Sequence, residues 1–267
     1  MFLALALVVA PLSQDARPNP PLVPWPAVVA WEDEVLRIPS LRIVVRDETL
    51  EAFAEALEED LPRFVPGLRW APLHEAGLPI VLDLDPDLEE EWEYELTVGP
   101  REIRVRGRDA RAIQHGAVTL QQAFERRDDD ALVLPLGRVL DRADASFRGL
   151  MVDVARRPNS IPQLTRIVDL CRLYKIDVLQ LHLSDDQGWT FPSARFPELG
   201  TENWNDVPRY RPSRLRALVR YADARGVTIV PEIDLPGHSA AMRRALPDVF
   251  DPAGLGNVNV ATEPVWR

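Results

Sequence analysis

The residues whose types and spacing suit chemistry lie in the carboxyl half of the chain. Glu232 and Asp234 stand two apart in an apolar, β-branched stretch. On a strand both side chains would face one way, with Cα atoms about 6.6 Å apart. Glycoside hydrolysis uses a carboxylate pair of that kind, one as acid and one as base or nucleophile. The same spacing equally suits an acid that only pairs with an arginine. His182, Asp185, Asp186 and His238 form a second set, and imidazole and carboxylate are ordinary metal ligands. None follows the short fixed spacing of a helical H-E-x-x-H motif, so no metal is expected. His182 between apolar strand neighbours reads as a core histidine with its hydrogen bonds satisfied. Trp189, after Gly188, suits either a sugar platform or a lid on the core.

These residues sit where apolar segments end. Leu150–Val154, Val178–Leu183 and Val227–Ile233 read as strands. Amphipathic helices are expected over Ile161–Tyr174 and Pro212–Arg225, with another starting at Ala240–Ala245. Such alternation of short apolar strands with helices predicts a parallel sheet with crossover helices. Polar residues follow each strand: Arg156 after the first, Asp185 and Asp186 after the second, Asp234 and His238 after the third. Functional sites of parallel α/β folds lie at the carboxyl ends of the strands, so a site is expected there.

The amino half has a different rhythm. Leu41–Arg46, Pro79–Leu84, a hairpin of Tyr94–Val98 and Ile103–Val105 around Gly99-Pro100, and Ala131–Leu136 read as strands. Thr49–Leu61 and a helix capped by Asp109 and running to about Arg126 supply the second layer. The expectation is a small two-layer α/β domain over residues 35–144, with the parallel unit over 145–267. The acidic runs Glu89-Glu90-Glu91 and Asp128-Asp129-Asp130 read as solvated loops.

At 267 residues and 46% hydrophobic content the chain has ample material for a core, which excludes wholesale disorder. A formal net charge of −11 argues against nucleic acid as a partner, since that would call for a basic patch. The single Cys171 excludes an internal disulfide framework and reads as a buried, inert thiol. Phe2–Ala10 is an unbroken apolar run, short of the roughly 20 residues that a stable membrane span needs. It suits the core of a secretory signal, although no Lys or Arg precedes it, and a secreted or periplasmic location is expected. Pro11–Pro26 reads as an extended Pro-rich linker, so residues 1–34 are expected to be signal-like segment and linker.

Three motifs in order carry a family resemblance: Phe147-Arg148-Gly149-Leu150-Met151-Val152-Asp153, then Leu181-His182-Leu183-Ser184-Asp185-Asp186-Gln187-Gly188-Trp189, then Pro231-Glu232-Ile233-Asp234-Leu235-Pro236-Gly237-His238-Ser239. They resemble family 20 glycoside hydrolases, the β-N-acetylhexosaminidases. Tyr94–Val98 and Gly116–Gln122 resemble the small α/β domain that precedes the barrel in that family. The resemblance implies a (β/α)8 TIM barrel that binds a terminal N-acetylglucosamine or N-acetylgalactosamine of an oligosaccharide. It implies Arg148 as the arginine that holds sugar hydroxyls, which suits a planar, bidentate donor. Asp185 and His238 would form the network that orients the general acid. Asp234 and Glu232 would be supporting rather than catalytic, with Asp186 and His182 beside them. The implied mechanism is substrate-assisted: the acetamido oxygen attacks the anomeric carbon, a Glu protonates the leaving oxygen and then activates water, and no cofactor is needed.

The family's acid Glu follows an Asp in a Gly-Asp-Glu-like motif at the end of the fourth strand, and no Asp-Glu step occurs after His238. From residue 145 onward the chain has about half of the roughly 250 residues of a full barrel, enough for three βα units. The expectation is therefore a fragment, inactive by itself, of an exo-acting hexosaminidase. Two other readings stay open: a non-catalytic sugar-binding remnant, or a barrel glycosidase that uses Glu232 and Asp234 directly. Arg157-Pro158-Asn159 also departs from the His and aromatic that relatives often carry there.

Overall fold

The structure is a computed structural model that describes residues 20–72, 75–88, 94–204 and 207–258. The apolar run Phe2–Ala10, residues 11–19 of the Pro-rich segment and Glu89–Glu91 lie outside these residues. Among the described residues the strands form two sheets.

The first sheet contains β1 (Val28–Arg37), β2 (Leu41–Val45), β3 (Leu78–Leu84), β4 (Tyr94–Val98), β5 (Ile103–Gly107), β6 (Glu125–Arg126) and β7 (Leu132–Asp141). Their order is β1-β7-β4-β5-β3-β2, with β6 against β7. β2, β3 and β5 run parallel, whereas the β4–β5, β4–β7 and β1–β7 ladders are antiparallel. Helices α1 (Glu51–Phe64) and α2 (Ala110–Ala123) bring Leu57, Leu61, Ile113 and Leu120 into one core with Ile80, Leu82, Leu96 and Val105, all fully buried. Period-2 alternation leaves charges on the other face, where Arg104 pairs with Asp83 at 2.9 Å and Arg106 with Glu95 at 2.6 Å.

Local chemistry sets the helix limits. Asp109 caps α2 by accepting from the Ala112 N–H at 2.8 Å. That helix stops at Ala123, short of the expected Arg126, because Phe124 turns extended and the next two residues pair with β7. α1 runs past the expected Leu61 and through Pro62. Proline offers no N–H to the preceding turn, and the Glu58 carbonyl accepts instead from the Trp70 indole N–H at 3.0 Å.

The main departure from expectation is β1, which begins at Val28 inside the segment read as linker. The charged run Glu32-Asp33-Glu34 breaks its alternation, and the ladder to β7 accommodates it by shifting register between Trp31 and Val35. Opposite lies Gly137 with φ +126°, where a Cβ would sit 2.2 Å from the Ala30 carbonyl oxygen. Paired by β1 on one side and β4 on the other, β7 extends to Asp141 rather than ending at Leu136.

The second sheet is the expected parallel unit. β8 (Gly149–Asp153), β9 (Val178–His182) and β10 (Thr228–Glu232) run parallel in the order β10-β9-β8, with α3 (Ile161–Leu173) and α4 (Pro212–Asp223) as crossovers. α5 (Ala240–Ala245) and α6 (Pro247–Phe250) follow. Ser160 and Gln163 form a reciprocal capping box at the start of α3. Leu179 and Leu181 point to the helices and are buried with Leu164, Val168 and Leu218. The opposite face carries in-register rows, Met151–Gln180–Val230 below and Asp153–His182–Glu232 at the carboxyl ends.

The two sheets are joined by polar contacts. Arg225 grips the fully buried Asp60 of α1 with two bonds of 2.9 Å, and Arg172 of α3 donates to Gln121 of α2 at 2.8 Å. Among the described residues no helix is long and apolar enough to cross a membrane.

Candidate active site

The row Asp153–His182–Glu232 places one ionisable side chain at the carboxyl end of each parallel strand. Neighbouring strands lie about 4.8 Å apart, so these side chains are adjacent by construction. Loops from the three strand ends add the rest. After β8, Asp153 Oδ1 accepts from the N–H groups of Ala155 (3.0 Å) and Arg156 (2.9 Å). That turn folds the Arg156 guanidinium back, and it bridges Asp153 Oδ2 at 2.7 Å and Asp185 Oδ2 at 2.5 Å. Asp185 is almost wholly buried and also faces His182 Nε2 at 2.8 Å, while its Oδ1 accepts from the Asp186 N–H at 2.6 Å. The other nitrogen of His182, Nδ1, faces Glu232 Oε1 at 2.8 Å, and the Gln180 amide donates to Glu232 Oε2.

The loop after β10 closes the group. Ser184 Oγ accepts from the Asp234 N–H at 2.9 Å, and Asp234 Oδ2 lies 2.7 Å from His238 Nδ1. His238 takes a left-handed backbone, φ +48°, and presents its half-exposed ring edge-on to His182 with centroids 5.6 Å apart. Asp186 faces outward from this cluster: its carboxylate accepts from the Ala240 N–H at the start of α5, and its carbonyl from Arg244. It anchors the loop to that helix.

Electrostatics follow from these contacts. Burial works against a charged His182, but its bonds to Asp185 and Glu232 outweigh that and raise its pKa above the usual value. The hydrogen bond from His238 holds Asp234 below the ordinary carboxylate range. For Asp153, burial pushes upward, yet the Arg156 N–H and guanidinium bring the net shift below the ordinary value.

Of the sequence-predicted residues, His182, Asp185, Glu232, Asp234 and His238 come together, with Asp186 on the outer side. Arg148 does not join them. It precedes β8 at the amino end of the sheet, where Nε donates to the Lys175 carbonyl at 2.7 Å and Nη2 pairs with Asp177 at 2.5 Å. Arg148, expected to hold sugar hydroxyls, therefore lies at the amino ends of the strands, whereas Arg156 lies with the charged row at their carboxyl ends. Sequence order signalled this, since Arg156 follows the strand and Arg148 precedes it. Asp153 was missed because only the register shows it level with His182 and Glu232. Glu232 and Asp234 do not stand as a free acid–base pair, since Glu232 is held through both oxygens and Asp234 serves His238. Trp189 is buried, donates its indole N–H to the Phe191 carbonyl and packs with Met242 and Phe250, so it closes a core.

Two sets, His182–Asp234–His238 and Asp153–His182–Asp185, bring potential metal-ligand atoms within 4.8 Å of one another. Hydrogen bonding accounts for both. Arg156 already neutralises Asp153 and Asp185, and each His182 nitrogen faces a carboxylate.

Comparison with known proteins gives a consistent result. The family model for the glycosyl hydrolase family 20 catalytic domain matches residues 146–264, and that for domain 2 of the same family matches residues 19–142. A β-N-acetylhexosaminidase of Cellulomonas fimi is 37% identical over 184 residues, covering 66% of this chain and 37% of the relative. A β-hexosaminidase of Akkermansia muciniphila is 36% identical over 169 residues, covering 59% of this chain and 34% of the relative. Among solved structures, the Streptomyces coelicolor A3(2) family 20 β-N-acetylhexosaminidase superposes with a TM-score of 0.76 at 26% identity, covering 91% of this chain and 51% of that one. A mutant Streptomyces plicatus β-hexosaminidase in complex with product (GlcNAc) gives 0.75 at 26% identity, with the same coverage. The chain spans about a third of the length of these curated relatives.

Proposed function

The chain belongs to glycoside hydrolase family 20, and from that membership we propose that it supplies the small α/β domain and the first three βα units of the barrel of an exo-β-N-acetylhexosaminidase. In this reading β8, β9 and β10 are neighbouring staves of an eight-stranded barrel, and their charged row forms part of its sugar-binding floor.

The observation that carries the proposal is the Arg156 bridge across Asp153 and Asp185 at the carboxyl ends of parallel strands. A planar guanidinium held by two carboxylates is pre-oriented, and its outward N–H groups suit vicinal hydroxyls of a terminal N-acetylhexosamine. Asp185, His182, Asp234 and His238 supply a polar wall beside it. The bond-breaking proton comes from a Glu, and the acetamido group is steered by the Asp before it. This chain holds no such step after His238. What its own residues do is bind the sugar and set the position and charge of the wall against which that acid works. The substrate's acetamido oxygen then acts as the nucleophile, as the substrate-assisted scheme requires.

The test is hydrolysis of a chromogenic N-acetyl-β-D-glucosaminide by the protein of the complete reading frame. Turnover that is lost with the matching β-glucoside, which lacks the acetamido group, supports the reading. Equal turnover of both, or none of either, contradicts it.

A further inference from the structure

His182 is the one imidazole in the cluster with a carboxylate on each nitrogen, Glu232 Oε1 and Asp185 Oδ2 both at 2.8 Å. A neutral imidazole has one N–H, so one of these contacts would set a nitrogen lone pair against a carboxylate lone pair. Only the doubly protonated ring satisfies both. The alternative, a protonated carboxyl donating to the ring, is opposed by the partners of the acids. Asp185 also receives Arg156 Nη2 and the Asp186 N–H, and Glu232 receives the Gln180 amide. These donors already take up acceptor sites on both acids, so a carboxyl that donated to the ring would have fewer to offer them.

We propose that His182 is a protonated clamp that fixes Asp185 against Glu232, and is thereby a positioning residue for the sugar site. The idea rests on the site reading above for its functional half only. The charged groups facing the ring are Asp153 from β8, Glu232 from β10, Asp185 from its own loop, Asp234 and His238 from the loop after β10, and, through the acids it bridges, Arg156. Four acids oppose two other bases, so the surroundings stabilise a cation at His182. By holding Asp185, the clamp sets the carboxylate whose Oδ2 also lies 3.9 Å from His238 Nδ1. A histidine read from sequence as merely satisfied in the core thus joins the acids of two strand ends.

The experiment is nitrogen-15 NMR of the histidine rings of the full chain, with His182 assigned through His182→Gln. The expected result is two N–H protons on His182 at about pH 6.5, with a titration midpoint above the ordinary histidine value. Glu232→Gln, which keeps the shape but removes one charge, lowers that midpoint by about one unit or more. A single N–H with a midpoint at or below the ordinary value overturns the clamp, and so does a midpoint unmoved by Glu232→Gln. The functional half is read separately by N-acetylglucosamine titration. Affinity lowered about fivefold or more in Glu232→Gln, with its thermal melt cooperative, supports positioning, and unchanged affinity refutes it. No sugar binding in the unaltered chain, with both N–H protons present, refutes the function reading and leaves the clamp standing.

Discussion

Replacing Asp60 is the most demanding test of how the two sheets are held. Its carboxylate is fully buried in α1, yet its nearest partners come from the second half of the chain, with Arg63 of its own helix 4.0 Å away. Arg225 binds it through Nε and Nη2 at 2.9 Å each, and Arg172 Nη1 lies 3.6 Å away. Both arginines are buried too. In Asp60→Ala two guanidinium groups keep their desolvation cost and lose their counter-charge, and breaking a buried pair from one side costs about 3–5 kcal/mol. Residual contacts, among them the Tyr221 carbonyl 3.3 Å from Arg225 Nη1, offset part of this. Arg225 retains Glu59 at 2.9 Å, but that acid is largely exposed, so the pair contributes about 0–1 kcal/mol. It also retains the Tyr221 ring, 3.6 Å below its guanidinium carbon. The expected loss is about 3 kcal/mol, roughly a hundredfold in the folding equilibrium. Urea unfolding followed by far-UV circular dichroism measures it. Asp60→Leu combined with Arg225→Met should recover much of the loss, because an apolar pair avoids the desolvation penalty. A loss below about 1 kcal/mol in Asp60→Ala would refute the reasoning, since that is the range of an exposed ion pair.

Other outcomes follow from the same geometry. Arg156→Met should weaken N-acetylglucosamine binding on the order of 10- to 100-fold by calorimetry, the size of lost charged hydrogen bonds. Ser160→Ala should cost about 1 kcal/mol in chemical unfolding through loss of the α3 capping box. Burial holds His115 below the ordinary histidine pKa, with the Arg148 and Lys175 charges adding to the effect against the opposing Asp177 bond. The unfolded state then binds more protons below about pH 6.5, so this group's contribution is lost on acidification, and thermal melts of His115→Gln should show a flatter slope from about pH 7 to 5. Burial pushes the Cys171 thiol up to about 11, so a thiol reagent should react with it only on unfolding.

Much of this fold was legible because its elements announce themselves locally. Asp109 and Ser160 mark helix starts, and the parallel strands are short apolar runs that end in polar residues. β1 was hidden because its alternation is interrupted by Glu32-Asp33-Glu34 and its existence depends on pairing with β7, about a hundred residues away. The site was legible in composition but not in arrangement. Motif order brought out Asp185, Asp234 and His238. Which arginine lies beside them depends on which end of a strand it occupies, and Arg148 and Arg156 bracket the same strand from opposite ends. The partnership of His182 with both Asp185 and Glu232 needs the register of three parallel strands, which no spacing within one segment encodes.

The most direct test of the central claim is to titrate the chain with N-acetylglucosamine and map the backbone and arginine side-chain NMR shifts. The account predicts saturable changes at Arg156, at Asp185 and around His238, with Arg148 and Lys175 unmoved. Changes centred on Arg148, or none that saturate, would contradict a sugar site at the carboxyl ends of β8, β9 and β10.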